Sequence, residues 1–114
     1  MQITLEDKVA VVTGVSGDGQ VGQTVAQALA KNGAKLAICS RSKDKVEARA
    51  EELRALGATV LAMAGSLTDE DQVKQLVDDT VLQYGRIDIL INLAGGLTRY
   101  KPAVELTLED WSAE

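Results

Sequence analysis

Histidine does not occur anywhere in this sequence, and its absence removes both the usual imidazole base and the commonest metal ligand. Cysteine occurs once. A single thiol, Cys39, can close no intramolecular disulfide and build no zinc site, and its place in the apolar run Leu36-Ala37-Ile38-Cys39 reads as a buried structural thiol, as a reducing compartment allows. Positive charge is in deficit, with 12 Lys and Arg against 17 Asp and Glu and a formal charge of −5. That balance argues against binding a phosphate backbone, which draws on clustered Lys and Arg, so any anion must be held locally. No apolar run reaches the roughly 18 residues of a bilayer span, and the start Met1-Gln2-Ile3-Thr4-Leu5 lacks a basic segment followed by a long apolar one. The expectation is a soluble, cytoplasmic protein with no nucleic-acid, membrane or metal partner. What is present suits one globular domain over residues 1–114, since 46% of 114 residues are hydrophobic and 25% charged.

The chain alternates between two kinds of pattern. Val9-Ala10-Val11-Val12-Thr13 is a short β-branched apolar run ended by Gly14, followed by a glycine-rich stretch and then by Val21, Val25, Ala28 and Leu29 at helical spacing, with Gly33 as the stop. Leu36 to Cys39 predicts a second strand. Val46, Ala50 and Leu53 mark a helix between Lys43 and Leu56 with Gly57 as its cap, and Thr59 to Ala64 predicts a third strand. Thr68 with Asp71 resembles a capping box, and Val73, Leu76, Val77, Thr80, Val81 and Tyr84 share a helix face that Gly85 ends. Tyr84 closes that stripe as a core residue. Ile87-Asp88-Ile89-Leu90-Ile91 predicts the fourth strand, and 95–102, which holds Pro102, the only proline, reads as an exposed loop.

Strands that alternate with amphipathic helices specify βαβ units, and right-handed crossovers place them in a parallel sheet covered by helices. The fold class is therefore α/β, a Rossmann-type doubly wound sheet with strand order 3-2-1-4 and its ligand at the switch point beside strand 1. Thr13 to Gly22 lies between the first strand and the first helix, where backbone N–H groups and the positive helix end can meet a pyrophosphate. A glycine cluster by itself could be a plain tight turn. Its position after a buried strand and before an amphipathic helix makes it a dinucleotide loop, with Gly14, Ser16, Gly17, Gly19, Gln20, Val21 and Gly22 as candidate contacts. At the end of the second strand, NAD-selective domains commonly carry an acid for the ribose 2′-hydroxyl, whereas a 2′-phosphate needs a cation. This sequence has Ser40-Arg41-Ser42. Arg41 can form a bidentate charge-assisted contact, flanked by the hydroxyls of Ser40 and Ser42, so NADP(H) is favoured over NAD(H) against the alternative of a solvated surface arginine.

These residues resemble the short-chain dehydrogenase/reductase family, whose first turn reads Thr-Gly, three variable residues and Gly-x-Gly. Lys8 to Gly14, Val25-Ala26 with Ala28-Leu29-Ala30 through Gly33-Ala34, Tyr84 to Asn92, and Ala94-Gly95 all look like family signatures, and the likeness covers essentially the whole chain. It implies further cofactor contacts at Ser66 and Leu67 and at Asn92, Ala94 and Gly95. The chain departs from the pattern at Gln20, where the second glycine would fall in a longer loop, at Leu93 in place of a second Asn, and at Ser66 in place of an Asp that helps to hold adenine. The longer loop resembles the enoyl-acyl-carrier-protein reductase branch, a minor alternative. Asp18, also in the loop, is expected to face solvent, because a carboxylate beside a pyrophosphate would repel it.

The resemblance implies an NADP-dependent oxidoreductase transferring hydride between the cofactor and a carbonyl or alcohol, acting as a homo-oligomer. The family's catalytic Asn, Ser and Tyr-x-x-x-Lys would fall after residue 114, the Asn about two turns into a helix that Thr107 begins and in which Trp111 packs on the domain, the others beyond that helix. Tyr100 and Lys101 are adjacent and cannot form the i, i+4 pair. Residues 1–114 are thus expected to be the cofactor-binding half, inactive alone, with strand 4 an open apolar edge. A stand-alone nucleotide-binding or regulatory module, or an inactive remnant, is the alternative.

Overall fold

A computed structural model describes residues 4–17 and 20–93. The strands are β1 (Val9–Thr13), β2 (Lys35–Ser40), β3 (Val60–Ala64) and β4 (Ile89–Asn92), and the helices are α1 (Val21–Lys31), α2 (Lys43–Ala55) and α3 (Glu70–Tyr84). All pairings are parallel, in the order β3-β2-β1-β4 that the alternating pattern predicts. All five residues of β1 are buried, as expected of a central strand covered on both faces.

The two-residue period of each strand sorts the core into two layers. Ala10, Val12, Leu36, Ile38 and Val60 face α1 and α2, meeting Ala26, Val46, Ala50 and Leu53. Val11, Ala37 and Cys39 face the other way and pack with Leu76 of α3. Leu36, Ile38 and Leu53 are fully buried, and each contributes about 1.5–3 kcal/mol relative to leaving it in water. Cys39 lies in the second layer, where burial pushes its thiol pKa up, so it is the structural thiol that its surroundings in the sequence imply.

Several boundaries and faces differ from the sequence reading. The buried face of α1 is Gly22, Gln23 and Ala26, with Leu29 and Ala30 packed beside it, while Val21 is 67% exposed and Ala28 is exposed. Small residues face the sheet because α1 runs close against the backbone after β1. On α3, Leu76 and Thr80 are buried but Val77 and Val81 are exposed, since among the described residues α3 alone covers its side of the sheet. Beside it Val11, Leu67, Val73, Leu76, Val77, Ile87 and Leu90 line an open apolar groove. The N-cap of α3 is Asp69, one residue after the expected Thr68; its carboxylate accepts the Asp71 and Gln72 N–H groups, while Thr68 spends its hydroxyl on Ser66. Gly85, left-handed with φ 82°, ends α3 as its spacing predicts. Strand β4 starts at Ile89 rather than Ile87, because Asp88 braces the entry: its carboxylate accepts the Val9 N–H and an Arg86 guanidinium N–H.

Candidate dinucleotide site

Parallel strands end together, so the register alone gathers the candidate residues. Thr13 lies level with Cys39 and Asn92, and Ser40 with Ala64, so the segments leaving β1, β2, β3 and β4 all emerge at one sheet edge. From that edge α1 and α2 turn to one face and α3 to the other. The gap between β1 and β4 is thus the switch point where open α/β sheets bind ligands.

The loop after β1 bends at once. Gly14, at φ 79°, donates its N–H to the Cys39 carbonyl at 2.9 Å, and Val15 donates to the same oxygen at 3.1 Å before burying its side chain completely. A left-handed residue there favours glycine. Ser16 and Gly17 follow, half-buried, and the Gln20 side-chain amide lies so close against Gly17 that a Cβ there would collide with it. Gly19, Ala94 and Gly95, like Asp18, Tyr100, Lys101, Thr107 and Trp111, lie outside the described residues.

Helix α1 differs from its neighbours at the N-terminus. Ser42 caps α2 by accepting the Lys45 N–H, with Asp44 in the first turn, and Asp69 caps α3, followed by Glu70 and Asp71. Gln20 makes no side-chain cap to α1, whose first turn holds no acid. Its leading N–H groups and positive dipole end therefore suit an anion. Gly22 brings this turn close to the loop: a Cβ there would lie 2.6 Å from the Gly14 carbonyl oxygen and 3.1 Å from the Val15 Cα. The donor set fits a pyrophosphate.

Arg41 is exposed at the mouth of β2, and no carboxylate pairs with it among the described residues. The serines beside it serve the chain first. Ser40, 7% exposed, accepts the Ser42 N–H at 3.1 Å and shapes the bend, whereas Ser42, as N-cap, uses its oxygen and keeps its proton to donate. After β3, the Ser66 hydroxyl pairs with Thr68 at 2.7 Å, and the Ser66 N–H is taken by Gln72. Leu67 is half-buried against the second core layer, and Asn92 is exposed at the end of β4. Tyr84 is half-buried against the second core layer: its hydroxyl donates to the Leu36 carbonyl at 2.8 Å, and burial raises its pKa against the lowering pull of Arg54. The sequence reading gives Thr13 no role beyond ending the first strand and opening the loop, and it leaves Gln23 and Gln72 unnamed. A polar residue that ends an apolar strand was the available signal for Thr13; for the two glutamines nothing local distinguishes a buried or bridging amide from a solvated one.

The short chain dehydrogenase family model matches residues 8–114. A short chain dehydrogenase/reductase of Colletotrichum higginsianum is 35% identical over 107 residues, 94% of this chain and 39% of that protein. A 3-oxoacyl-acyl-carrier-protein reductase of Thermotoga maritima is 35% identical over 96% of this chain and 43% of its own length. The chain spans less than half the length of these relatives. Among solved structures, a metagenomic short-chain oxidoreductase in complex with NADP aligns over 95% of this chain and 48% of its own, with TM-score 0.80 and 29% identity. A blue fluorescent protein from a metagenomic library in complex with NADPH aligns over 97% and 45%, with TM-score 0.81 and 34% identity. With its parallel 3-2-1-4 sheet and its glycine loop at the switch point, this chain belongs to the short-chain dehydrogenase/reductase family of oxidoreductases, which use a nicotinamide dinucleotide.

Proposed function

We propose that this chain holds NADP(H) across the carboxyl edge of its sheet and supplies the cofactor-binding half of an enzyme that moves hydride between NADP(H) and a carbonyl or alcohol. The observation that carries this reading is the α1 N-terminus, which has neither a side-chain cap from Gln20 nor an acid in its first turn and stands behind the Gly14–Gly22 loop. When bound, the nicotinamide carries the hydride; this chain's residues bind and orient. The loop and α1 N–H groups hold the diphosphate, Arg41 and the Ser42 proton meet the 2′-phosphate, and Ser66, Leu67 and Asn92 line the adenosine and ribose side, with Ala94 and Gly95 as further contacts implied by the family resemblance. Ser40 acts on the bend that presents Arg41. The NADP and NADPH named for the two aligned structures support this choice.

The whole protein is proposed to be a cytoplasmic homo-oligomer, and residues 1–114 alone are proposed to have no turnover. No helix among the described residues is long and apolar enough to cross a membrane. The test is calorimetry on the full protein with NADPH and NADH. Tighter binding of NADPH is expected; equal affinities would remove the preference, and no binding of either would remove the cofactor reading. Turnover of ketones by purified residues 1–114, lost on mutation within them, would overturn the division of labour.

A further inference from the structure

Gln23, on the first turn of α1, is 1% exposed and points into the seam with α2. Its Nε2 donates to the Glu52 carboxylate at 3.1 Å and to the Arg49 carbonyl at 3.4 Å, and Arg49 in turn pairs with Glu52 at 2.9 Å. Both partners of the amide nitrogen are acceptors, so the reversed amide would set oxygen against oxygen. The Gln23 Oε1 is buried with no hydrogen-bond partner among the described residues. Leaving such a group unpaired costs free energy that a leucine here would avoid. The rest of the seam is apolar, built from Ala26, Val46, Ala50 and Leu53, so packing alone does not call for an amide. What the amide adds is direction: it fixes α1 at one register along α2, which an apolar contact leaves free to slide.

The two helices joined in this way carry opposite ends of the candidate site. Gln23 follows Gly22, whose backbone lies against Gly14 and Val15 in the loop. Arg49 is on the rod that starts at Ser42, about 10 Å along at 1.5 Å per residue, and Arg41 stands just before that start. Resting on the cofactor reading above, we propose that Gln23 is a positioning residue that holds the diphosphate-binding turn and the 2′-phosphate-binding turn at the separation one dinucleotide requires. The amide touches no ligand. Its effect is confined to a ligand that engages both turns at once, because the gain from joining two fragments depends on their spacing.

The experiment uses the full protein and compares NADPH with adenosine 2′-monophosphate, which lacks the 5′-phosphate and so reports on the α2 end alone, by calorimetry, alongside thermal melts. Gln23→Leu is expected to weaken NADPH by about tenfold and to leave adenosine 2′-monophosphate within about twofold. Glu52→Ala, which breaks the main bond from a more exposed position, should act in the same direction, by about threefold, and decides the matter alone if Gln23→Leu does not fold. Unchanged NADPH affinity in the folded variants, or a parallel loss of adenosine 2′-monophosphate, overturns the cross-tie while the cofactor reading stands. A wild-type protein that binds neither ligand removes the cofactor reading and the cross-tie with it.

Discussion

The Thr13 hydroxyl donates to the Asn92 side-chain oxygen at 2.7 Å and accepts the Leu93 N–H at 3.1 Å, so one side chain joins the carboxyl ends of β1 and β4. At the other end of the same strand pair, the Asp88 carboxylate accepts the Val9 N–H at 2.9 Å. Strand β4 is thus tied to β1 at both ends by side chains, beyond the ladder between them. The tie at Thr13 matters for the site because it closes the edge from which the glycine loop and Leu93 depart.

Thr13→Val keeps the shape of the side chain but leaves the Asn92 oxygen and Leu93 N–H without their partner. A loss of about 1–3 kcal/mol in unfolding free energy is expected, read from chemical denaturation, with Thr13→Ser recovering most of it. An unchanged midpoint in Thr13→Val would show that the bridge contributes nothing to stability.

Gly22→Ala places a methyl group 2.6 Å from the Gly14 carbonyl oxygen, with backbone on both sides of the contact. Relief requires α1 to move away from the loop, so NADPH affinity should fall by at least about tenfold, as misplaced binding groups do. Gly65→Ala is the control, since its near neighbour at 2.9 Å is the movable end of the Gln72 side chain. Fluorescence titration with NADPH separates the two; similar affinities would deny the loop its role.

Arg41→Ala should weaken NADPH by about 1.5–3 kcal/mol, the range for hydrogen bonds to a charged group, and leave NADH nearly unchanged. Arg41 has no carboxylate partner among the described residues to lose, so the fold should be indifferent to the change. Equal losses for the two cofactors would place Arg41 outside the 2′-phosphate contact.

The Arg86 guanidinium and the Val9 N–H hold the Asp88 carboxyl below its ordinary pKa. A group depressed in the folded state contributes stability above its unfolded pKa, near 4, and that contribution is lost as pH falls through the folded value. Asp88→Asn keeps an acceptor for Val9 and removes the titration. Its unfolding midpoint should therefore fall less steeply than that of the native protein below about pH 4. Parallel acid limbs in the two proteins would remove Asp88 from the acid response.

The sheet order, the helix stops and the edge at which the strands end together were legible in the residues because they follow from local signals. Val9–Thr13, Lys35–Ser40 and Val60–Ala64 are short apolar runs between amphipathic segments, and right-handed crossovers then leave little freedom in their order. Gly14 before a helix and Arg41 after a strand declare themselves by type and position. Tertiary structure decided which face of each helix is buried. Val21 and Val81 satisfy a helical period yet lie exposed, whereas Gln23 breaks it and is buried, because closeness to another backbone selects Gly22 and Ala26 on α1 and a neighbouring helix supplies acceptors for the amide. Tertiary structure also decided the hydroxyls. The sequence offers Ser40, Ser42, Ser66 and Thr68 as equal donors, but the bend after β2 and the turn after β3 engage three of them in bonds with one another or with nearby backbone, and Ser42 keeps its proton. A hydrogen bond depends on where two groups are brought together in space, and periodicity along the chain carries no record of that distance.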